Sequence, residues 1–292
     1  MADRKKIGLI AGWGRYPIVV AEALRAQGYE IFCLGIAGHA DPALAEICDH
    51  FQVAGVARLG GHIRYFRRQK VKLATMAGKL FKHKLMYGKW GIFSLWPDLR
   101  TLRACAPMLF TRRRNCNDDS LLQVVIDEYA KDGIQFAPAT DFAPELLVPE
   151  GSLTRRSPSA AEWDDIRYGW MLAKEMGRLD VGQSVAVKGR AVLAVEAVVG
   201  TDECIRRAGL LCQQGGFTVV KVAKPQQDMR FDVPAIGVGT VDTLHAAGGR
   251  VLAIEAEKTI VIDQAEVIER ANQCRIAIVS VHAETLAVVK AA

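Results

Sequence analysis

The first 28 residues follow the order strand, glycine turn and helix, and this order constrains the fold more than any other feature of the sequence. Residues 5–11 (KKIGLIA) predict a buried parallel strand. Gly12 and Gly14 then form a turn, and residues 18–25 predict an amphipathic helix that stops near Gly28. Strand, glycine turn and helix make the first unit of a doubly wound sheet, so we expect an α/β fold.

The same turn is a candidate anion site, because the first N–H groups of a helix have no partners within it. The pattern departs from a dinucleotide fingerprint at two places. Pro17 replaces the third glycine, and the second predicted strand (residues 30–34) is followed by GIAG, with no acid to hold a ribose. These departures argue against NAD. Two interpretations stay open for Gly12, Gly14 and Pro17: a phosphate or uridine ligand, or a purely structural turn.

The chain of 292 residues is long enough for about two domains. Residues 147–159 are rich in Pro, Gly, Ser and Thr and form a candidate linker. We therefore predict an N-terminal α/β domain over 1–146 and a second α/β domain over 147–292. The second half predicts a helix at 160–178 and strands at 185–187, 191–197, 217–222, 260–262 and 276–281.

Positive charge is concentrated in one region of the chain. The net charge is +6, yet residues 58–114 carry fifteen Lys and Arg against the single acid Asp98. From Lys79 to Arg114 the basic residues alternate with aromatic ones, which suits an anionic membrane surface or a lipid substrate. Nucleic acid is the rival partner, but no nucleic-acid motif accompanies the patch, so we expect none. An ordinary basic surface with its aromatics in the core is the plain alternative.

Several classes of protein are disfavoured. No apolar run approaches the length that spans a bilayer, and the apolar run at 7–11 is too short for a secretory signal, so we expect a cytoplasmic protein. The seven cysteines show no zinc spacing and are expected to be reduced and mostly buried. There is no nucleophile elbow, P-loop or HExxH motif. Carboxylates, a metal and basic side chains must therefore carry any catalysis.

The segment from Lys224 to Pro234 combines these groups. If residues 228–232 are extended, Asp228, Arg230 and Asp232 share one face. Two carboxylates can hold a divalent cation, and an arginine can bind a phosphate with two N–H groups. The plain alternative is a solvated edge with an Asp–Arg ion pair.

Further polar residues are predicted at strand ends and helix starts. Glu196 interrupts an otherwise apolar strand, and the similar run 250–256 places Glu255 the same way. A buried glutamate must be paired, bound to metal or protonated. Two helix starts are explained by capping and could also receive a ligand: one at Asp118 and Asp119, the other at Gly200, Thr201 and Asp202. The remaining candidates lie in or beside turns and are Lys188, Gln227 and Thr240.

Five motifs, spread from the N-terminal turn to the segment after Lys224, carry a resemblance to a known family. They are GLIAGWG at 8–14 with Pro17, DDSLL at 118–122, DVGQSV at 180–185, AVEA at 194–197 with GTD at 200–202, and residues 224–237. Together they resemble the LpxI form of UDP-2,3-diacylglucosamine pyrophosphatase, a family of lipid A synthesis, and the resemblance covers nearly the whole chain. Two positions depart from the family pattern: Val199 stands where a glutamate is expected, and Asn117 where a glycine is expected.

The resemblance implies a Rossmann-like N-terminal domain, a distinct C-terminal α/β domain and an active site between them. It implies Mg²⁺-dependent hydrolysis of UDP-2,3-diacylglucosamine to UMP and 2,3-diacylglucosamine 1-phosphate. Joined to the residue patterns, it predicts a catalytic set, a substrate-binding set and a metal-binding set. The catalytic set is Asp228, Asp232, Arg230, Lys224 and Lys188; the substrate-binding set is Gly12, Gly14, Pro17, Asp118, Asp119, Gly200, Thr201, Gln227 and Thr240; the metal-binding set is Asp228, Asp232, Glu196 and Asp202.

Two partner predictions and one competing function follow. We expect peripheral association with the inner face of the inner membrane, since the implied substrate is a lipid, and we add a homodimer as a further prediction. The competing function is a non-catalytic protein that binds a nucleotide sugar or a lipid through the same helix starts and basic patch. Such a binder would need no metal and would release no product.

Overall fold

The computed structural model describes residues 4–80, 96–110 and 118–288, without the side chains of 107–110, 118–120 and 287–288. The chain divides into two compact units. Unit 1 comprises Met1–Pro144 together with Asp228–Asp232, and unit 2 comprises Glu145–Gln227 together with Val233–Ala292. The segment 228–232 thus belongs to unit 1 although its neighbours in sequence on both sides belong to unit 2.

Unit 1 contains a five-stranded sheet in the order β3-β2-β1-β4-β5, and every pairing in it is parallel. This is the order of a doubly wound fold, so the α/β prediction is confirmed. The strands are β1 Lys6–Ala11, β2 Glu30–Ile36, β3 His50–Ala54, β4 Leu73–Ala77 and β5 Gln135–Phe136; the helices are α1 Tyr16–Ala26, α2 Leu44–Ile47, α3 Leu59–Arg68, α4 Leu99–Phe110 and α5 Asp118–Ala130.

The core of unit 1 forms where the apolar sides of its helices meet the sheet. Phe32 of β2, Phe66 of α3 and Tyr129 of α5 are fully or almost fully buried in one cluster. Phe231 packs against this cluster from the 228–232 segment. Burial of this aromatic ring provides a physical reason for the segment to join unit 1.

Unit 2 contains a six-stranded mixed sheet in the order β6-β13-β11-β9-β7-β8 and a two-stranded sheet of β10 and β12. β9, β11 and β13 are parallel, whereas β6, β7 and β8 pair antiparallel. The strands are β6 Gly151–Ser152, β7 Ser184–Lys188, β8 Ala191–Val195, β9 Thr218–Lys221, β10 Ala235–Ile236, β11 Val251–Glu255, β12 Ile260–Val261 and β13 Ala277–Val281; the helices are α6 Ala160–Arg178, α7 Thr201–Leu211, α8 Val238–Ala246, α9 Gln264–Gln273 and α10 Ala283–Val288.

Helix α6 begins where the sequence predicts, because Ser159 and Glu162 form a reciprocal capping box. Its apolar side, with Ile166 and Trp170, packs on one face of the sheet. On the other face, Phe217 and Ile254 lie in a second apolar cluster. Two covered faces explain why most residues of β9, β11 and β13 are apolar.

Two local predictions for unit 2 are wrong. The apolar run after residue 190 is not a buried strand: β8 is an antiparallel edge strand, with Val192 and Val195 each 40% exposed. The candidate linker is also partly ordered, because Gly151 and Ser152 pair with β13 and the Thr154 side chain is buried. Sequence alone cannot distinguish an apolar edge strand from a central one, because strand order depends on distant pairings.

Six of the seven cysteines lie in the part of the chain that the structure describes, and all six are free thiols. Cys33, Cys48, Cys204 and Cys274 are buried. Among the described residues, no helix combines the length and the apolar character needed to cross a bilayer.

Candidate functional site

The segment that carries Asp228, Arg230 and Asp232 is a compact turn, so the extended conformation that would place the three side chains on one face is not present. The backbone N–H of Asp232 donates to the carbonyl of Asp228 at 3.0 Å, which closes one helical turn. Residues two apart therefore do not share a face as they would in a strand. The turn forms because Asp228 accepts hydrogen bonds from the following backbone, as aspartates often do at turns.

Arg230 binds Asp228 through several hydrogen bonds. Its Nε lies 2.9 Å from Oδ1 of Asp228 and 3.1 Å from Oδ2, and its Nη2 lies 2.5 Å from Oδ2. Nη2 also donates to Oε1 of Gln123 at 2.9 Å. The guanidinium of Arg230 holds the pKa of the Asp228 carboxyl below its usual range. Asp228 is therefore ionised at neutral pH, and the arginine is held in one orientation.

Lys224 and Gln227 belong to unit 2 and pack at the end of α6. The Lys224 Nζ donates to Oδ1 of Asp180 at 2.6 Å, and both side chains are mostly buried. The backbone N–H of Lys224 donates to the side-chain oxygen of Gln227 at 2.7 Å. Gly177 leaves room for this loop, because a Cβ there would lie 3.2 Å from Cα of Lys224. Both residues thus have a structural role in holding the loop.

A second polar cluster lies at the carboxyl end of β9, where Lys221 is only 5% exposed. Its Nζ donates to Oγ1 of Thr201 at 3.1 Å and to the carbonyl of Ala235 at 2.9 Å. Oγ1 of Thr201 donates to Oε1 of Glu196 at 2.9 Å and lies 3.3 Å from Oγ of Ser184. The threonine hydroxyl is thus engaged by three side chains of the fold, and its proton is directed to Glu196.

Glu196 follows β8 directly and is 9% exposed. Oε2 of Glu196 is buried and has no hydrogen-bond partner within the described part of the chain. A buried acceptor without a donor costs about 1–3 kcal/mol. Such an atom is a candidate contact for a ligand that carries an O–H or N–H group or a positive charge.

The start of α7 is less suited to a phosphate than the sequence suggests. Gly200 is the N-cap residue, with φ +85°, and no side chain caps the helix there. Asp202 and Glu203 lie in the first turn, and Glu196 reaches Thr201. These three carboxylates outnumber the single ammonium of Lys221 beside Thr201 and offset the positive potential of the helix start. A hydroxyl group or a cation therefore fits this position better than a phosphate does.

The other candidates of unit 2 lie at turns of the same domain. Lys188 ends β7, and its Nζ donates to the carbonyl of Gly215, so this ammonium holds two turns together. Thr240 lies in the first turn of α8 and is half-buried. Gly237 and Gly239 beside it have open space where a Cβ would lie.

The glycine turn of unit 1 has a clear structural function. A Cβ on Gly12 would lie 2.8 Å from the carbonyl oxygen of Lys79, so only glycine allows the two backbones to approach this closely. Gly14 has φ +104° and open space around it. Pro17 occupies the first turn of α1, where it removes one N–H donor from the predicted anion site. The structural interpretation accounts for Gly12, and Gly14 stays a candidate for ligand contact.

Asp118 and Asp119 begin α5, but their side chains lie outside the described residues. The same holds for most of the basic aromatic segment, residues 81–95 and 111–114, and for Asn117. Their predicted roles stay predictions. Val199, the other departure from the family pattern, is 47% exposed before α7.

Residues that hold the candidates in place were not selected from the sequence. Asp180, Gln123 and Ser184 each contact a candidate side chain, at Lys224, Arg230 and Thr201 respectively. Asp180 and Ser184 lie in the DVGQSV motif, one of the motifs shared with the LpxI family, so the resemblance could have indicated both residues. No signal pointed to Gln123, because its contact joins residues 107 positions apart.

Among the residues that the structure describes, no three His, Cys, Asp or Glu side chains assemble into a group that could hold a metal ion. Mg²⁺ is often held by one or two carboxylates together with substrate phosphates. Asp228 and Asp232, within one turn, match that smaller donor set in chemistry.

Comparison with known proteins agrees with the resemblance. Residues 6–146 match the model of the LpxI N-terminal domain, and residues 149–279 match that of the LpxI C-terminal domain. A protein of Caulobacter vibrioides named UDP-2,3-diacylglucosamine pyrophosphatase LpxI is 31% identical over 277 residues, which cover 92% of this chain and 94% of the relative. The chain therefore belongs to the LpxI family.

Proposed function

We propose that this chain hydrolyses the pyrophosphate bond of UDP-2,3-diacylglucosamine in lipid A synthesis. The observation that carries the proposal is the similarity along 92% of the chain to a relative named for this substrate and reaction class. The proposed products are UMP and 2,3-diacylglucosamine 1-phosphate. The oxygen of water forms the new P–O bond at one phosphorus, the bridging P–O bond breaks, and the bridging oxygen leaves with the other phosphate. The two protons of water go one to each monophosphate, and both are released at a pH above the second phosphate pKa of about 6.

Arg230 is the residue proposed to bind the pyrophosphate. Asp228 and Gln123 occupy its Nε and Nη2, whereas Nη1 has no hydrogen-bond partner among the described residues. A guanidinium held on one side can direct its remaining N–H groups to phosphate oxygens with little loss of conformational freedom. Such preorganised charge stabilises the transition state of phosphoryl transfer.

Mg²⁺ is proposed as the cofactor, with Asp228 and Asp232 as the carboxylates that would hold it. When bound, the ion would neutralise charge on the pyrophosphate oxygens. Asp228 contributes an ionised carboxylate whose position Arg230 fixes. Glu196 and Asp202 stay predicted ligands, and Oε2 of Glu196 supports a contact to a cation or a hydroxyl group.

Lys224 and Lys188 are proposed to add positive charge that attracts the substrate. Both ammonium groups already contact the fold, at Asp180 and at the carbonyl of Gly215. Their part in the proposal is therefore long-range attraction and loop positioning. Further contacts to the substrate, through backbone or side chain, are proposed for Gly14, Gln227 and Thr240.

Peripheral membrane association is also proposed, because the substrate is a lipid.

Phosphorus NMR tests the reaction directly. The protein is incubated with UDP-2,3-diacylglucosamine in detergent micelles, first with Mg²⁺ and then with EDTA. Loss of the two pyrophosphate signals and growth of two monophosphate signals only with Mg²⁺ supports both the reaction and the cofactor. Turnover that persists in EDTA contradicts the proposal that the reaction requires Mg²⁺. An unchanged spectrum under both conditions, with folded protein, favours the non-catalytic binder.

Two aspartate variants test the site. Asp228→Ala and Asp232→Ala are expected to abolish turnover and leave the protein folded. Asp164→Ala is the matched control, because Asp164 is exposed on α6 and pairs only locally with Arg167. Substantial turnover in both test variants would remove the 228–232 turn from the mechanism.

A further inference from the structure

Three arginines surround one surface cavity at the amino edge of the parallel strands in unit 2. Arg155, Arg156 and Arg275 line it together with Asn272, and its volume is about 270 Å³. A wider cavity of about 620 Å³ adjoins it and shares Arg155 and Asn272. Lys221 and Thr201 lie at the opposite, carboxyl end of the parallel strands. Lys188 lies at the amino edge, beside Gly215, and does not line the cavity. The cavity is therefore a separate feature of this domain.

The backbone beneath these arginines is well anchored. The hydroxyl of buried Thr154 accepts from the N–H of Ile278 at 2.9 Å and donates to the carbonyl of Arg156 at 3.1 Å. The N–H of Arg155 donates to Oδ1 of Asn272 at 2.8 Å. The backbone of residues 154–156 is thus hydrogen-bonded both to β13 and to α9.

Positive charge exceeds negative charge around the smaller cavity. Arg156 is paired with Glu162 at 2.6 Å and also donates to the carbonyl of Arg250. Arg155 and Arg275 make no ion pair with any residue that the structure describes. None of the described residues that line the smaller cavity is an acid. Mutual repulsion between guanidinium groups is relieved when an anion binds among them.

We propose that this arginine cluster, formed by Arg155, Arg156 and Arg275, binds a phosphate group. Guanidinium groups match phosphate oxygens with paired N–H donors, and a cavity of 270 Å³ can accommodate a phosphate with part of its ester. The phosphate is supplied either by the headgroups of an anionic membrane surface or by a small soluble phosphate. The inference does not rest on the proposed function, because it concerns different residues and can be measured without turnover.

The test removes the two arginines that have no ion pair. Arg155→Gln with Arg275→Gln is compared with the control Arg206→Gln with Arg207→Gln. The control removes the same charge from exposed arginines of the same unit, which pair instead with Glu203. Arg156 is kept, because its contacts to Glu162 and the carbonyl of Arg250 stabilise the loop. Circular dichroism and thermal unfolding confirm that each variant is folded.

Two binding measurements distinguish the sources of phosphate. Co-sedimentation uses vesicles of phosphatidylglycerol and phosphatidylcholine, with pure phosphatidylcholine as the neutral reference. Titration with inorganic phosphate, followed by calorimetry, measures soluble binding. Each arginine near an anionic surface contributes about fivefold in affinity, so the test variant is expected to lose about thirtyfold in vesicle affinity.

Each outcome bears on the cluster. Anionic-vesicle binding that falls in the test variant and persists in the control supports a membrane-docking site. Phosphate binding that falls in the same way, without vesicle binding, supports a site for a soluble phosphate. If the test variant binds both probes as well as the control does, or if the wild-type protein binds neither, the proposal is overturned.

Discussion

Glu196 and Glu255 occupy equivalent places in two nearly identical runs of sequence, yet their surroundings differ. Glu255 ends the central parallel strand β11 and accepts hydrogen bonds from Lys174 at 2.6 Å and from the N–H of Ala223 at 2.8 Å. Its other oxygen forms an ion pair with Lys258 at 3.0 Å. Glu196 follows the edge strand β8, and among the described residues its carboxylate accepts a hydrogen bond from the hydroxyl of Thr201 alone. The first carboxylate is satisfied by the fold, whereas the second retains an acceptor for a ligand.

The difference teaches that burial alone does not identify a functional carboxylate. Both side chains are 9% exposed or less. The number of donors separates these two buried carboxylates: Glu255 is bonded through both of its oxygens, whereas Oε2 of Glu196 has no partner within the described residues. We therefore expect Glu255 to contribute to stability and Glu196 to contact a ligand.

The largest expected effect is on Glu255. Replacement Glu255→Ala leaves the mostly buried Lys174 without its carboxylate and should lower the free energy of unfolding by about 3 kcal/mol. Urea denaturation followed by circular dichroism measures this change. Glu257→Ala is the control, because Glu257 is 71% exposed and two residues away. A loss below about 1 kcal/mol would contradict the structural role of Glu255.

Glu196 should behave in the opposite way. Glu196→Ala removes a side chain with few donors, so stability should change by at most about 1 kcal/mol, while turnover should fall about hundredfold through loss of a ligand contact. Steady-state kinetics on the proposed substrate measures the second effect. Glu203→Ala is the control, because Glu203 lies nearby in the first turn of α7. Unchanged turnover with a large loss of stability would reverse the comparison.

Gly182 offers a way to move Glu196 without changing it. A Cβ at Gly182 would lie 2.2 Å from the carbonyl oxygen of Glu196, so Gly182→Ala must displace that backbone. We expect a loss of stability of about 2 kcal/mol and a fall in turnover that parallels Glu196→Ala. Gly239→Ala is the control, since a Cβ there meets open space. Turnover equal to that of the control would show that the position of Glu196 is unimportant.

The smallest expected effect on stability concerns the ion pair between Asp228 and Arg230, in which the Asp228 side chain is 26% exposed. Its folded-state pKa is below its ordinary value, so the ion pair stabilises the protein above the unfolded-state pKa of about 4 and loses this contribution as pH falls through the folded-state pKa. Solvent limits the contribution to about 1 kcal/mol or less. NMR titration of the Asp228 carboxyl in wild type and in Arg230→Gln should show a higher pKa in the variant. Equal values in both proteins would contradict the assigned cause.

Local patterns predicted much of the fold but only part of the candidate site. The boundaries of α6 follow from Ser159 and Glu162, which are three residues apart. The conformation of Asp228–Asp232 could not be read in this way, because Arg230 binds Gln123 and Phe231 packs against a cluster formed by distant helices and strands. Contacts across that distance in sequence leave no periodic signal.

The sequence by itself determined the α/β class, the strand, turn and helix at the N-terminus, and the resemblance to the LpxI family, because these depend on local periodicity and short motifs. Only the tertiary structure decided that 228–232 is a turn within unit 1, that β8 is an edge strand, and that Glu196 and Glu255 differ in their donors. The homodimer, which concerns a second copy of the chain, stays a prediction. The tertiary structure was needed for the other three features because strand order and hydrogen-bond partners depend on residues that are far apart in sequence and meet only after folding.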